Sequence, residues 1–425
     1  MKEIDYLKNF DKTSVKATLK RINLLLDYLD NPQDNLDFIH IAGTNGKGSI
    51  AEILTVIYKE AGYNIGTFTS PGVMDLKERI RINDRMISSQ ELAELVKNIK
   101  PHINKVAREL EHPTFFEIIT AIAFCYFSNK NLDLVVLETG MGGRLDATNV
   151  VDSMISVITN VGLDHTEYLG DTIEEIAKEK AGIIKPKQKV ITAAQKAVVL
   201  ETLEEKAAKE KAELININQK YFWEKTDFNH KNQSFNLKGP DCTLNNLKIS
   251  LLGRYQILNT VTALAVIEEL NKMFYVSEKD IRKALIHITW PGRLEVVKEK
   301  PLIILDGSHN LEGIKNLNKE LNRFKYSKLI ILISIFSDKN IKNMIEELEK
   351  KGDHFILTQN RSKRAVKAET LKKYIVDDKK AVIRNNLELG LNYALDISKE
   401  DDLILITGSL HNVTELRHKF TGGYN

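Results

Sequence analysis

His40-Ile41-Ala42-Gly43-Thr44-Asn45-Gly46-Lys47-Gly48-Ser49 is the stretch on which the reading of the whole chain turns. It follows a short apolar run (Leu36, Phe38, Ile39, Ile41, Ala42) and opens a helical pattern through Ile53, Leu54, Val56 and Ile57. Strand, glycine-rich turn and helix, in that order, are the context a phosphate-binding loop requires. Gly43, Gly46 and Gly48 let backbone N–H groups converge on an anion without Cβ obstruction. The helix expected from about Ser49 adds the positive end of its dipole, and Lys47 adds a mobile full charge. The spacing departs from the usual Walker form, because Gly43 stands three residues before Gly46 and Gly48 separates Lys47 from Ser49. Nucleotide binding is the reading; a glycine-rich turn without a ligand is its alternative.

The rest of the chain bounds the answer. At 425 residues it exceeds what one core usually supports, so two domains are expected. With 61 basic and 58 acidic residues, no global field favours nucleic acid or an acidic membrane surface. The lysine-rich segment 363–380 is interrupted by acids and reads as a solvated face. Two cysteines, Cys125 and Cys242, make no disulfide framework and suit a reducing compartment. Cys125 sits in an apolar helical stretch and reads as core. The first thirteen residues are too charged for a signal peptide, and the longest apolar run, 329–336, has the length of a buried strand. A cytoplasmic location is expected, with no nucleic-acid or membrane partner.

Along the chain, residues 1–30 read as helix, followed by the phosphate loop and its helix. A short strand then ends in the turn Ser70-Pro71-Gly72, and 78–83 read as a loop carrying Arg79 and Arg81. Helices are expected over 89–110 and 114–129; Thr114 and Glu117, three apart, fit a capping box. Strands over 132–137 and 154–159 end at Glu138 and shortly before Asp164-His165. That is the address of ligand groups in open parallel sheets, so Glu138 and His165 are candidate ligands for a metal or a phosphate-bound Mg²⁺. In the helix expected over 172–184, Lys180 falls on the apolar stripe of Ile173, Ile176, Ala177 and Ile184, whereas Lys178 and Lys185 fall off it as ordinary exposed lysines. An inward lysine either snorkels or is chemically used. A charged helix is read over 200–213, then polar strand-like stretches, a helix opening at 253–259 and another over 277–288. Trp290-Pro291-Gly292-Arg293-Leu294-Glu295 breaks regular structure, and a new pattern begins at Pro301 with strands 302–305, 329–335, 355–358 and 403–407 alternating with helices. The boundary falls there, giving domains 1–295 and 296–425. The fold class is α/β: a P-loop-type N-terminal domain with a mostly parallel sheet and a smaller Rossmann-like C-terminal domain. The residues alone reach a Mg²⁺-nucleotide enzyme performing phosphoryl transfer, with the acceptor open.

The ordered set of motifs goes further. Residues 40–49, 70–72, 78–83, 138–149, 160–170, 179–185, 291–295, 306–310 and 407–417 resemble folylpolyglutamate synthase, a family that includes the bifunctional dihydrofolate synthase/folylpolyglutamate synthases and belongs to the Mur ligase superfamily. The resemblance implies an ATP-dependent amide ligase in which a folate or dihydropteroate carboxylate takes the γ-phosphoryl group and the amine of L-glutamate attacks the acyl phosphate. It implies that Asn45, Gly46, Lys47, Gly48 and Ser49 hold the ATP phosphates, with Asn259, Arg293 and Asp306 as further ATP contacts. Ser70, Glu138 and His165 would bind Mg²⁺, Lys180 would be carbamylated, and His309 would lie near the transferring phosphate. Thr114, Phe115, Phe116 and Glu117 match a pterin-contacting segment, Arg79 and Arg81 border the folate site, and Ser409 and His411 are offered for glutamate. A monomer is expected. The competing readings are a UDP-muramyl amino-acid ligase of the same superfamily and a catalytically inactive nucleotide-binding scaffold.

Overall fold

The computed structural model describes residues 2–8, 10, 18–72 and 75–420. The chain divides into two compact units. The first comprises Met1–Glu224, Phe235–Leu247 and Ile257–His287; the second comprises Lys225–Ser234, Lys248–Gln256 and Ile288–Asn425.

The first unit is built on an eight-stranded sheet. Its strands are β1 (Phe38–Ala42), β2 (Ile65–Phe68), β3 (Ile80–Ile82), β4 (Arg85–Met86), β5 (Leu134–Glu138), β6 (Ile155–Ile158), β7 (Lys189–Thr192) and β8 (Glu213–Asn216). Their order is β4-β3-β2-β5-β1-β6-β7-β8, parallel except for the β2–β3 and β3–β4 pairs. Every residue of β1, β5 and β6 is buried, as expected of unbroken apolar strands covered on both faces. The chain leaves β1 toward β2 on one side, returns through β5 and passes to β6 on the other. That reversal places a ligand crevice at the carboxyl ends of β1, β5 and β6. Three further strands, β9 (Phe222–Phe228), β10 (Gln233–Lys238) and β11 (Thr243–Ile249), form a separate sheet in the order β11-β10-β9, with residues in both units.

In the second unit β12 (Glu295–Glu299), β13 (Leu302–Leu305), β14 (Leu329–Ile333), β15 (His354–Leu357), β16 (Ala381–Ile383) and β17 (Leu403–Thr407) form a sheet ordered β12-β13-β17-β14-β15-β16. All its pairs are parallel except β12–β13. Leu302, Ile304, Leu329, Ile331, Leu403 and Leu405 lie in one core cluster; Ile303, Leu305, Ile330, Leu332, Ile404 and Ile406 lie in the other. This period-two division is what a strand with two covered faces produces.

Four expectations change. The helix read over 1–30 is two helices, Lys2–Lys8 and Lys20–Asp27, and residues 1, 9 and 11–17 of that stretch lie outside the described residues. The stretch 78–83 is not a loop: a 3-10 turn, Leu76–Arg79, leads into β3, whose backbone pairs antiparallel with β2. Regular structure resumes at Glu295 rather than Pro301, because β12 borders the sheet antiparallel to β13, and the three-residue strand β16 was too short to leave a periodic signal. Lys185 is half-buried and donates to the Asn149 carbonyl at 3.1 Å, so it is not an ordinary exposed lysine.

Candidate active site

The loop after β1 is pinned to the end of β6. Thr44 N donates to Asn160 O at 2.9 Å, Asn45 N to Asn160 Oδ1 at 2.9 Å, and Thr159 Oγ1 to Asn45 O at 2.7 Å. A Cβ on Gly43 would stand 1.8 Å from Thr159 Oγ1, so only glycine permits this approach. Gly46, at φ +91°, is the N-cap of the helix Lys47–Glu60, and as a glycine it brings no capping side chain to that end. Backbone N–H groups and the helix dipole there favour an anion. A Cβ on Gly46 would meet Asn259 Oδ1 at 2.6 Å, which places Asn259 of the helix Arg254–Leu270 directly against the loop. Lys47 Nζ donates to Gly43 O at 3.0 Å and lies 4.0 Å from Glu138 Oε1.

Glu138, at the end of β5, is 3% exposed, and its Oε2 accepts from Ser70 N at 3.0 Å. Glu138 and Ser70 therefore adjoin Lys47. Arg79 belongs to the same neighbourhood: burial pushes its pKa down, the Glu138 charge opposes that shift, and its guanidinium stands 5.7 Å over the Phe115 ring. Phe116 borders it too, since a Cβ on Gly140 would lie 2.5 Å from Phe116 Cζ. His165, exposed in the left-handed region at φ +53°, follows Asp164 beyond β6. Among the described residues no three His, Cys, Asp or Glu side chains form a ready cation site. A buried carboxylate beside a phosphate loop suits a hard cation that completes its shell with phosphate and water oxygens.

Lys180 is 3% exposed on the helix Ile173–Ala181, and its amine makes no hydrogen bond or ion pair among the described residues. Burial first, then the nearby Lys47 charge, pushes its pKa down to about 7, with Asp164 and Asp146 opposing. An amine that loses its proton near neutral pH thus stands within the electrostatic reach of the phosphate-loop lysine. A Cβ on Gly143 would lie 2.7 Å from Glu179 O and 2.8 Å from Lys180 O, so the loop after β5 packs on the lysine's own backbone.

Two of the proposed folate residues have other partners. Glu117 Oε2 accepts from Thr114 N at 2.6 Å and from Arg21 Nε at 3.1 Å, making the capping box read from the sequence and adding a buried ion pair. Arg81 pairs with Glu52 of the phosphate-loop helix.

In the second unit, Asp306 follows β13. Its Oδ2 accepts from Leu294 N and its Oδ1 from Ser308 N, each at 2.9 Å. Burial holds its pKa up, while Ser308 and the Arg293 charge work against that. A Cβ on Gly307 would lie 2.6 Å from an Arg293 guanidinium nitrogen, so Arg293 and Asp306 form one cluster. His309 Nδ1 donates to Gly307 O at 2.9 Å, because a carbonyl only accepts. Ser409 caps the helix Leu410–Arg417 by accepting from His411 N, and the His411 ring packs 5.2 Å from Phe336. Sequence reading assigned no role to Asn160, Asp146 or Asp164, nor to the buried Asn412, whose Nδ2 donates to Ser334 O at 2.9 Å and to Thr407 O at 2.6 Å. Their signal in the sequence was membership of the motif stretches 138–149, 160–170 and 407–417.

Residues 41–267 match the Mur ligase middle domain and 292–410 the Mur ligase glutamate ligase domain. The dihydrofolate synthase/folylpolyglutamate synthase of Bacillus subtilis is 35% identical over 413 residues, 96% of either chain. The fold matches E. coli FolC in complex with DHPP and ADP with a TM-score of 0.88 at 28% identity, covering 98% of this chain and 96% of that one. It matches the bifunctional enzyme with Mn, AMPPNP and L-glutamate bound at 0.86 and 28%, over 98% and 96%. The site and these likenesses define an ATP-dependent ligase of the Mur ligase class. Within that class the chain belongs to the family of dihydrofolate synthase/folylpolyglutamate synthases, which ligate glutamate to folates.

Proposed function

We propose that this chain extends folates by one L-glutamate per ATP and joins L-glutamate to dihydropteroate by the same chemistry. The acceptor carboxylate attacks the γ-phosphorus, ADP departs, and the glutamate amine displaces phosphate from the acyl phosphate to form the amide. A carboxylate is a poor acyl donor, so phosphorylation supplies the leaving group; the protein's share is positioning and charge neutralisation. The carrying observation is the meeting of a glycine-led helix start, Lys47 and buried Glu138 at the ends of β1 and β5.

In this reading Asn45, Gly46, Lys47, Gly48, Ser49, Asn259, Arg293 and Asp306 serve ATP, and His309 serves the transferring phosphate. Ser70, Glu138 and His165 would hold Mg²⁺, which when bound offsets phosphate charge. The deprotonated amine of Lys180 attacks CO₂ and releases a proton, leaving a carbamate anion in place of the amine. Arg79, Phe115 and Phe116 contact the pterin side of the acceptor; Thr114, Glu117 and Arg81 shape that wall through the cap and the ion pairs above. Ser409 and His411 serve the glutamate. Residues 1–295 and 296–425 divide this labour as ATP/folate and glutamate domains of a cytoplasmic monomer. Phosphate release from ATP, Mg²⁺ and L-glutamate tests the reading, with dihydropteroate and a reduced folate run in parallel. Turnover with both acceptors is expected; release with the folate alone would remove the dihydrofolate synthase half, and none with either would remove the folate assignment.

A further inference from the structure

His40 lies in the middle of β1, wholly buried between Ile39 and Ile41. Its Nε2 is 2.8 Å from Thr148 Oγ1. That hydroxyl donates to Asp146 Oδ1 at 2.6 Å, so it accepts from the ring, and the imidazole proton resides on Nε2. Asp146 is an acceptor on both oxygens: Oδ1 also faces Thr148 N at 3.0 Å, and Oδ2 faces Met141 N at 2.7 Å. His40 Nδ1 is buried without a hydrogen-bond partner among the described residues. Burial first, with the Lys185 charge added, pushes the ring's pKa down to about 3, so the imidazole stays neutral.

An apolar residue would fill this site at lower desolvation cost; what the histidine adds is direction. The row His40, Thr148, Asp146 ends on Met141 N and closes the loop that begins at Glu138 and packs, through Gly143, on the backbone of Lys180. We propose that His40 is a positioning residue for the ligase reaction, fixing through Thr148 and Asp146 the loop that sets Glu138 and Lys180 in register. The proposal rests on the ligase reading above.

The test compares His40→Leu, His40→Gln, Thr148→Val and the double variant H40L/T148V. Thr67→Val serves as a control, since Thr67 is equally buried in the same sheet and bonds only Thr55 Oγ1 among side chains, at 2.7 Å. His40→Leu and Thr148→Val are each expected to lower kcat about tenfold with the KM for ATP within about twofold, as misplacement of a reacting group does. The double variant should be no worse than either single one, because both break the same row. His40→Gln, whose amide nitrogen reaches the Nε2 position, should recover most of kcat, and Thr67→Val should lower Tm alone. Full kcat in folded His40→Leu, or in Thr148→Val should the leucine variant not fold, overturns the proposal, as do additive losses. Nitrogen-15 NMR of the wild-type ring gives a reading independent of turnover. An Nε2–H tautomer unchanged from about pH 5 to 9 is expected; an Nδ1–H or protonated ring overturns the proposal. Absence of wild-type turnover in the same assay would instead count against the ligase reading.

Discussion

At the scale of single residues, the most informative group is the amine of Lys180. A lysine is ordinarily charged to beyond pH 10; here burial and Lys47 bring the pKa to about 7. Below pH 7 the amine is protonated and inert toward CO₂; above it the free amine reacts. Activity in CO₂-depleted buffer should therefore be low, and added bicarbonate should restore it more fully at pH 8 than at pH 6. Equal restoration at both would separate activity from this titration. Lys180→Met should lower kcat on the order of 100-fold, as loss of one well-placed electrostatic group does, while equilibrium ADP binding stays close to wild type. The same shift carries a stability consequence. The folded chain sheds this proton near pH 7 and the unfolded chain near 10.5. In CO₂-free buffer the penalty for the buried charge is full below pH 7 and is relieved as pH rises from 7 toward 10.5. Tm of wild type relative to Lys180→Met should rise across that window.

At the scale of elements, the phosphate loop and the capping boxes were legible because they are local. Gly46 at φ +91° and Thr114 with Glu117 stand in the structure where residue spacing put them, and Thr172 with Glu175 adds a further capping box that the sequence reading did not name. Gly46→Ala adds a left-handed strain of about 1–2 kcal/mol and a clash with Asn259 Oδ1, so ADP affinity should fall about tenfold or more by calorimetry. Glu117→Gln keeps a group able to complete the cap but breaks the buried pair with Arg21. A loss of about 3 kcal/mol in stability is expected, with the folate KM little changed; a KM rise without a Tm fall would make Glu117 a ligand contact instead. What sequence could not show is partnership across distance. Neither the Arg21–Glu117 pair nor Arg81–Glu52 has a periodic signature, and β3 was misread because strand character there comes from pairing with β2. Lys185 was misplaced for the same reason, its partner being a loop carbonyl 36 residues away.

At the scale of the molecule, both sheets gather their chemistry at carboxyl strand ends. Loop 43–49 and His165 follow β1 and β6, Glu138 ends β5, and Asp306 and Ser409 follow β13 and β17. The alternation of strand and helix patterns made that architecture readable, and no helix among the described residues is long and apolar enough to cross a membrane. Sedimentation should find the mass of one chain, and EDTA should abolish turnover, with excess Mg²⁺ restoring it. The sequence reading is two domains with one boundary after residue 295; the second compact unit also takes in Lys225–Ser234 and Lys248–Gln256, whose partners lie far along the chain and leave no local signal. Phe228 packs edge-on against Phe324 with ring centroids 5.3 Å apart, Leu252 belongs to the core of Leu317 and Leu321, and Gln233 bonds Arg323 at 3.1 Å. During synthesis these stretches leave the ribosome well before their partners. At about 5–20 residues per second, they wait on the order of ten seconds with apolar faces uncovered. A fragment starting at residue 288 should be insoluble when made alone, and the nascent chain is a natural client for chaperones over that interval.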